Sequence, residues 1–258
     1  VGGAAAVTKS EKDDTLLWHM RLGHMSGRGM RELQKRNLLA RVKSCKLDFC
    51  KCCVMGKQCR MRFKIAMHKT EGILNYVHFD IWGPVQVVSK GGARYFMSFI
   101  DDYSRKVWVY FLKNKSEAFA KFKKWKAEVE NQTGRKIKCL RSDNGTEYKD
   151  GEFLKFCEEH GIKRHFTVRR TPQQNGMAER LNRTIGEIAR CIRLNAGLPK
   201  VFWAEAVNMA CYILNRSPRA MLDGKVAEKV WTGKEVDYSS MRIFRCPTYI
   251  HIPIEERS

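Results

Sequence analysis

Apolar positions along this chain change their period more than once, and the changes divide it. Residues 15–65 show only short helical stretches, in which Ser26 can cap a helix carrying Met30, Leu33 and Leu38 on one face. From residue 73 the pattern turns extended. Segments 74–81, 94–100 and 106–112 read as strands, joined by turns at Gly91-Gly92 and Asp102-Tyr103-Ser104. A helix over 116–131 follows, with Phe119, Phe122, Trp125 and Val129 at steps of 3, 3 and 4, and Gly134 ends it. A strand over 137–141 delivers Asp143 at its C-terminal end; a helix over 153–160 and a strand over 163–166 come next.

A long helix over 176–195 has Met177, Leu181, Ile185, Ile188 and Ile192 as its apolar stripe, and Gly197 and Pro199 close it. Glu179 falls on its polar face with Arg183, Glu187 and Arg190. Pro199 opens a further helix over 201–216. Three antiparallel strands, a helix and then a strand–helix alternation predict an α/β fold, a sheet sandwiched by helices. The divisions predicted are a disordered leader (1–14), a small helical module (15–70) with a linker at 66–72, a sheet domain (71–235) and a C-terminal extension (236–258).

Charge adds a partner class. The formal net charge is +22, and residues 1–70 hold 16 Lys and Arg against 5 acids, so half of the excess lies in a quarter of the chain. Such an excess favours polyanions through counterion release. Apolar runs such as 107–112 are far shorter than the roughly 18–20 residues of a membrane span, so no membrane partner is expected. No signal peptide is visible, and the absence of an initial Met suggests a piece of a longer precursor.

Five of ten cysteines crowd into positions 45–59, which favours metal binding over a disulfide framework. His19 and His24, then Cys50 and Cys53, offer two imidazoles and two thiolates, a set that suits one structural, tetrahedral Zn²⁺. Cys45, Cys52 and Cys59 are substitutes within reach. Cys139, Cys157, Cys191, Cys211 and Cys246 read as small buried apolar residues.

Three acids carry the candidate chemistry. Asp80 ends an apolar run, Asp143 lies in Ser142-Asp143-Asn144-Gly145, and Glu179 lies in Asn175-Gly176-Met177-Ala178-Glu179-Arg180. Taken singly, each has an ordinary reading: a strand-end turn, an Asx-turn, a surface pair with Arg183. Together, with 35 residues between the last two, they are the D,D-35-E arrangement, a carboxylate cage for two divalent cations of the Mg²⁺ or Mn²⁺ kind. Gln173, Gln174 and Asn175 stand before the last helix, and Arg180 and Arg183 flank Glu179; all five are candidate DNA contacts. Lys121, Lys123, Lys124 and Lys126 read as a solvated helix face and a weak import signal.

The wording around the acids resembles the integrase of copia-type LTR retrotransposons. The residues that carry the resemblance include His78-Phe79-Asp80-Ile81-Trp82-Gly83-Pro84, the Asp143 and Glu179 segments, Phe202-Trp203-Ala204-Glu205-Ala206 and Leu214-Asn215-Arg216-Ser217-Pro218. The order His, His, Cys, Cys is similar to the integrase N-terminal zinc module. The resemblance covers residues 15–258 and departs at Phe244-Arg245-Cys246, where Phe-Gly-Cys is more usual. It also makes the chain look cut short at its C-terminus. It implies an RNase H-like fold, with Asp80, Asp143 and Glu179 as metal ligands. It implies 3′-end processing and strand transfer of element DNA into chromosomal DNA, a homo-oligomer, and work in the nucleus after a cytoplasmic particle stage. An RNase H-type nuclease and a non-catalytic, nucleic-acid-binding remnant are the rival readings.

Overall fold

The computed structural model describes residues 14–42, 44–47, 49–56, 70–143, 151–166 and 176–247. The sheet is built first by a meander: β1 (Val77–Trp82), β2 (Tyr95–Asp101) and β3 (Val107–Leu112) pair antiparallel in sequence. Asp101 closes the β2–β3 turn, accepting from the amide and hydroxyl of Ser104 at 2.8 and 2.7 Å and from the Leu74 amide at 2.8 Å. After α4 (Ala118–Thr133) the chain returns as β4 (Cys139–Ser142), parallel to β1, and after α5 (Gly151–Glu159) as β5 (Lys163–Phe166), parallel to β4. The order is β3-β2-β1-β4-β5, so β1 is the central strand of a mixed five-stranded sheet.

Alternation along β1 sends successive side chains to opposite layers. Val77, Phe79 and Ile81 join the layer under α4 and α5, with Phe122, Trp125 and Phe153. The stacking of Phe99 on Trp125, at 4.0 Å between centroids and 3° between planes, lies at its centre. His78, Asp80 and Trp82 point the other way, toward α6 (Gly176–Asn195) and α7 (Trp203–Asn215), where Phe96, Ile185, Ile192, Ala210 and Leu214 pack. The short α8 (Ala227–Thr232) sets Trp231 edge-on against Trp108, 4.8 Å between centroids.

The N-terminal part is three short helices: α1 (Thr15–Arg21), α2 (Gly27–Lys35) and α3 (Lys51–Gly56). Ser26 caps α2, accepting from the Gly29 amide. Trp18, Leu22, Met30 and Leu33 form its core, which continues into Ile213 of α7 and into Tyr238 and Met241. Among the described residues, no helix is long and apolar enough to cross a membrane.

Several local expectations need correction. Helix α2 stops at Lys35, so Leu38 lies beyond it and Leu39 takes the buried place. The stripe of α6 is rotated: Ala178 and Asn182 are buried where Met177 and Leu181 are only partly so. Pro199 precedes a 3₁₀ turn, Lys200–Phe202, and α7 itself starts at Trp203. Lys126 is not on the solvated face of α4; it is buried against Glu130, Nζ to Oε2 2.8 Å. Of the five cysteines expected to be buried, Cys157, Cys191 and Cys211 are, whereas Cys139 and Cys246 are partly exposed. The leader at 1–13, most of the linker, and Gln173, Gln174, Asn175 and Cys59 lie outside the described residues.

Candidate functional site

Two constellations of polar side chains lean on α6. The first is carboxylate. β1 presents Asp80 on the α6 face, and β4, hydrogen-bonded beside it, ends at Ser142 with Asp143 directly following. The Ser142 hydroxyl donates to the Asp143 carbonyl at 3.1 Å and accepts from Arg164 at 2.9 Å, which fixes the backbone there. Glu179 stands exposed in the first turn of α6.

Asp80 senses the other two acids. Burial, and then repulsion from Asp143, pushes the Asp80 carboxyl up to about 7, and Glu179 adds to the rise. Opposing this, Asn182 Nδ2 donates to Asp80 Oδ2 at 2.7 Å. Asn182 is only 2% exposed and sits one turn of α6 beyond Glu179, so the same helix supplies an acid and the group that orients another acid. The sequence reading missed Asn182. The available signal was its i+3 spacing from Glu179, which puts both on neighbouring faces of one helix. Arg180 and Arg183 are exposed beside Glu179.

A buried network lies behind this cluster. His78, two residues before Asp80 on the same strand face, hydrogen-bonds Asp102 at 3.0 Å; Arg105 and Thr70 each reach Asp102 at 2.8 Å. Burial lowers the pKa of His78 and keeps it neutral at pH 7. Burial opposes ionisation of Asp102 too, but the His78 hydrogen bond and the Arg105 charge outweigh it and hold Asp102 at about 2.

The second constellation is nitrogen and sulfur. His19 leaves α1, His24 follows in a left-handed turn (φ 61°), and α3 begins just after Cys50 and contains Cys53. His19 Nε2 lies 3.2 Å from His24 Nδ1 and 3.3 Å from Cys53 Sγ; Cys50 Sγ and Cys53 Sγ lie 3.3 and 3.6 Å from His24 Nδ1. All four ligand atoms fall within 4.8 Å of one another, and among the described residues this is the one group so assembled. A regular tetrahedron with usual Zn–N and Zn–S lengths has edges of about 3.3 Å (N–N), 3.5 Å (N–S) and 3.8 Å (S–S). The quartet therefore has the size of a zinc site. His19 Nδ1 bonds the Met25 carbonyl at 2.8 Å, which turns Nε2 inward.

Geometry also separates the neighbouring cysteines. Cys45 points to Gln34 Oε1, 3.2 Å away. Cys52 falls outside the quartet, and its carbonyl accepts from Cys191 Sγ of α6 at 3.2 Å. That contact belongs to a tight seat. A Cβ on Gly56 would lie 2.2 Å from Cys191 Sγ, and one on Gly23 (φ 61°) would lie 2.8 Å from Ile188 Cγ2. The turn before His24 and the end of α3 thus both rest directly on α6, and glycine suits each close approach.

The comparisons agree with this division. Residues 1–58 match the GAG-pre-integrase domain model, and residues 74–172 match the integrase core domain model. The chain is 48% identical over 242 residues to the Retrovirus-related Pol polyprotein from transposon TNT 1-94 of Nicotiana tabacum, covering 94% of this chain and 18% of that protein. It is 31% identical over 236 residues to the corresponding polyprotein from transposon RE2 of Arabidopsis thaliana, covering 90% of this chain and 16% of the relative. The chain thus spans under a fifth of the length of these relatives. Its fold is similar to a chain in the simian T-cell lymphotropic virus intasome in complex with PP2A regulatory subunit B56 gamma. There the TM-score is 0.53 at 18% identity, covering 79% of this chain and 68% of that chain. Residues 74–172 are thus similar to an integrase core domain, and the chain as a whole is similar to one stretch of these retrotransposon Pol polyproteins.

Proposed function

We propose that this chain carries the DNA-joining centre of a retrotransposon integrase, with Asp80, Asp143 and Glu179 as the ligands of two Mg²⁺ or Mn²⁺ ions. The observation that supports it most is a buried carboxylate, Asp80, repelled by Asp143 and Glu179, the three acids being placed by a central strand, the end of its parallel neighbour and the first turn of a helix. An acid pushed up to about 7 by burial and by its neighbours is stabilised in its ionised form by a bound cation. The donor set, all oxygen and open to solvent at Glu179, suits a hard cation that keeps room for phosphate. When bound, such ions would supply charge for an attacking hydroxyl and for a departing 3′-oxygen.

The chain's own residues then do the following. Asn182 holds one oxygen of Asp80, and the Ile81 backbone also hydrogen-bonds that carboxylate. Ser142 and Arg164 hold the backbone at Asp143. Arg180 and Arg183 place positive charge where substrate phosphates pass Glu179. In the reaction proposed, water first opens a phosphodiester near the element's 3′ end. The 3′-hydroxyl so released then attacks a chromosomal phosphodiester, losing its proton as the target's 3′-oxygen departs and gains one. Double-stranded DNA is the partner, a homo-oligomer the working form, and the nucleus its place after a cytoplasmic particle stage. We read the quartet as one structural Zn²⁺ site in a module of residues 15–70, ahead of a catalytic core at 71–235 and an extension at 236–258.

The test is strand joining with oligonucleotides bearing the element's ends in Mg²⁺ or Mn²⁺. Asp80→Asn, Asp143→Asn and Glu179→Gln should each abolish joining while sparing the fold and most DNA affinity. Because the acids act as a unit, double variants should be little worse than singles. Near-normal joining by Glu179→Gln would remove it from the site.

A further inference from the structure

A second recess lies on the same face of β1 as Asp80. Asp80 and Trp82 are two residues apart on one strand, so both side chains leave the sheet toward α6. Beyond Trp82 the chain turns away at Gly83-Pro84, and residues 84–87 form one wall of a cavity of about 410 Å³. Its floor is aromatic. Trp82 stacks on Phe96 at 5.1 Å between centroids and tilts against Trp203 at 6.5 Å, yet remains 42% exposed. Its far wall is cationic: Arg190 and Arg193 come from the later turns of α6, and Lys200 from the turn before α7. The Leu198 carbonyl accepts from Arg193 at 2.6 Å and fixes that guanidinium. Among the described residues, no carboxylate lines the cavity.

We infer that this cavity is a subsite for an unpaired nucleotide of the DNA substrate, its base on Trp82 and its phosphate among Arg190, Arg193 and Lys200. The inference rests on the DNA-joining reading above and adds a place where one strand leaves the duplex. Three cations without an acid select an anion, and an exposed indole beside a second one selects a flat, aromatic body. A nucleotide is both. The volume is on the scale of a small-molecule pocket. Position fits as well. Along α6 the cavity begins seven residues past Glu179 at Gly186 and ends fourteen past it at Arg193, a rise of about 10 to 21 Å. At about 3.4 Å per nucleotide of one strand, that is roughly three to six nucleotides from Glu179.

The experiment compares two probes at fixed salt: a blunt DNA duplex, and the same duplex with a five-nucleotide single-stranded extension. Wild type should bind the extended probe more tightly. Trp82→Ala should erase that gain, a loss of about 5- to 150-fold for one stacked base, and leave blunt-duplex affinity unchanged. Trp82→Phe should restore most of it, and Arg190→Glu should weaken the extended probe more than the blunt one. With 5-iodouracil in the extension, irradiation should cross-link the segment around Trp82. Equal wild-type affinity for the two probes overturns the subsite and leaves the DNA-joining reading standing; so does an equal loss on both by Trp82→Ala. Binding to neither probe overturns both readings. If Trp82→Ala changes only the oligomeric state, the cavity receives a second copy of this chain and the subsite is overturned.

Discussion

The histidine–cysteine quartet and the carboxylate triad lean on the same helix but are assembled to different degrees. Four of the six distances among the nitrogen and sulfur atoms already lie close to the edge lengths of a metal tetrahedron, and all six are within 4.8 Å. Asp143 and Glu179 are close enough to Asp80 to raise its proton affinity, yet the three acids form no comparably converged group. Charge accounts for the contrast. At neutral pH ordinary imidazoles and thiols are mostly uncharged and can hydrogen-bond one another into place, whereas carboxylates are ionised and repel. On the reading proposed above, the quartet is a structural site closed by the fold, and the triad is a catalytic one left open and held by other groups, here Asn182 and the Ser142–Arg164 pair.

Breaking the quartet should have the largest effect. Cys53→Ser, or a strong chelator, should release one zinc per chain and unfold residues 14–56, because metal affinity in such small modules is folding free energy of about 10 kcal/mol or more. Metal analysis with far-UV circular dichroism checks this; unchanged helicity without zinc would contradict it. Residues 77–166, whose layer is packed without the quartet, should keep their cooperative transition.

A second, smaller effect uses an acid of the opposite kind. Asp102 is held at about 2 by His78 and Arg105 against burial, below the ordinary 3.8 of an unfolded chain. Its folded pKa is depressed, so its contribution is full above pH 3.8 and is lost as pH falls toward 2. The size is at most about 2 kcal/mol by linkage. Denaturant melts from pH 5 to pH 2 should show a steeper fall for the wild type than for Asp102→Asn. Parallel curves would show that the network carries no such stability.

Asp80 should behave in the reverse sense. Asp80→Asn keeps an acceptor for Asn182 and removes a buried, repelled charge. Without divalent cations at pH 7.5 it should raise stability by roughly 1 kcal/mol, after discounting for solvent near Glu179. Added Mg²⁺ should then stabilise the wild type and not the variant. Thermal melts with and without Mg²⁺ measure both, and a destabilised Asp80→Asn would show that the acid is held by attraction.

Arg245→Gly should have the smallest effect. Arg245 stands at φ 67°, a left-handed conformation that costs a side chain about 1–2 kcal/mol. Its guanidinium donates to the Ala196 carbonyl at 2.6 Å, worth about 1–2 kcal/mol. The two nearly cancel, so the melting point should move by no more than about 2 °C. A larger rise would show that the backbone strain outweighs the hydrogen bond, and a larger fall the reverse. The same φ explains why Gly is the more usual residue between Phe244 and Cys246.

Much of this architecture was legible in the amino-acid pattern. The first three strands and α6 fall within three residues of their expected ends, because one-sided burial imposes a clear period on them. The grouping of the three acids was legible through motif and spacing, as the influence of Asp143 and Glu179 on Asp80 shows. What escaped is what depends on small or polar residues inside apolar faces. Ala178 and Asn182 carry too little hydrophobic signal to set the phase of α6, so the buried stripe was assigned to Met177 and Leu181. Lys126 looked solvated because pairing with Glu130 depends on the fold around it. The competition among Cys45, Cys52 and Cys53 could not be decided by spacing; it is decided by Gln34, which takes Cys45, and by α6, which takes the Cys52 carbonyl. The cavity at Trp82 joins residues more than a hundred positions apart and has no local signature.

The seat of Gly56 on Cys191 turns α6 into a measuring rod. Cys191 lies twelve residues past Glu179, about 18 Å along the helix. The basic N-terminal module is thereby held at a set distance from the acids within one chain. Any duplex that touches both is gauged at about five base pairs.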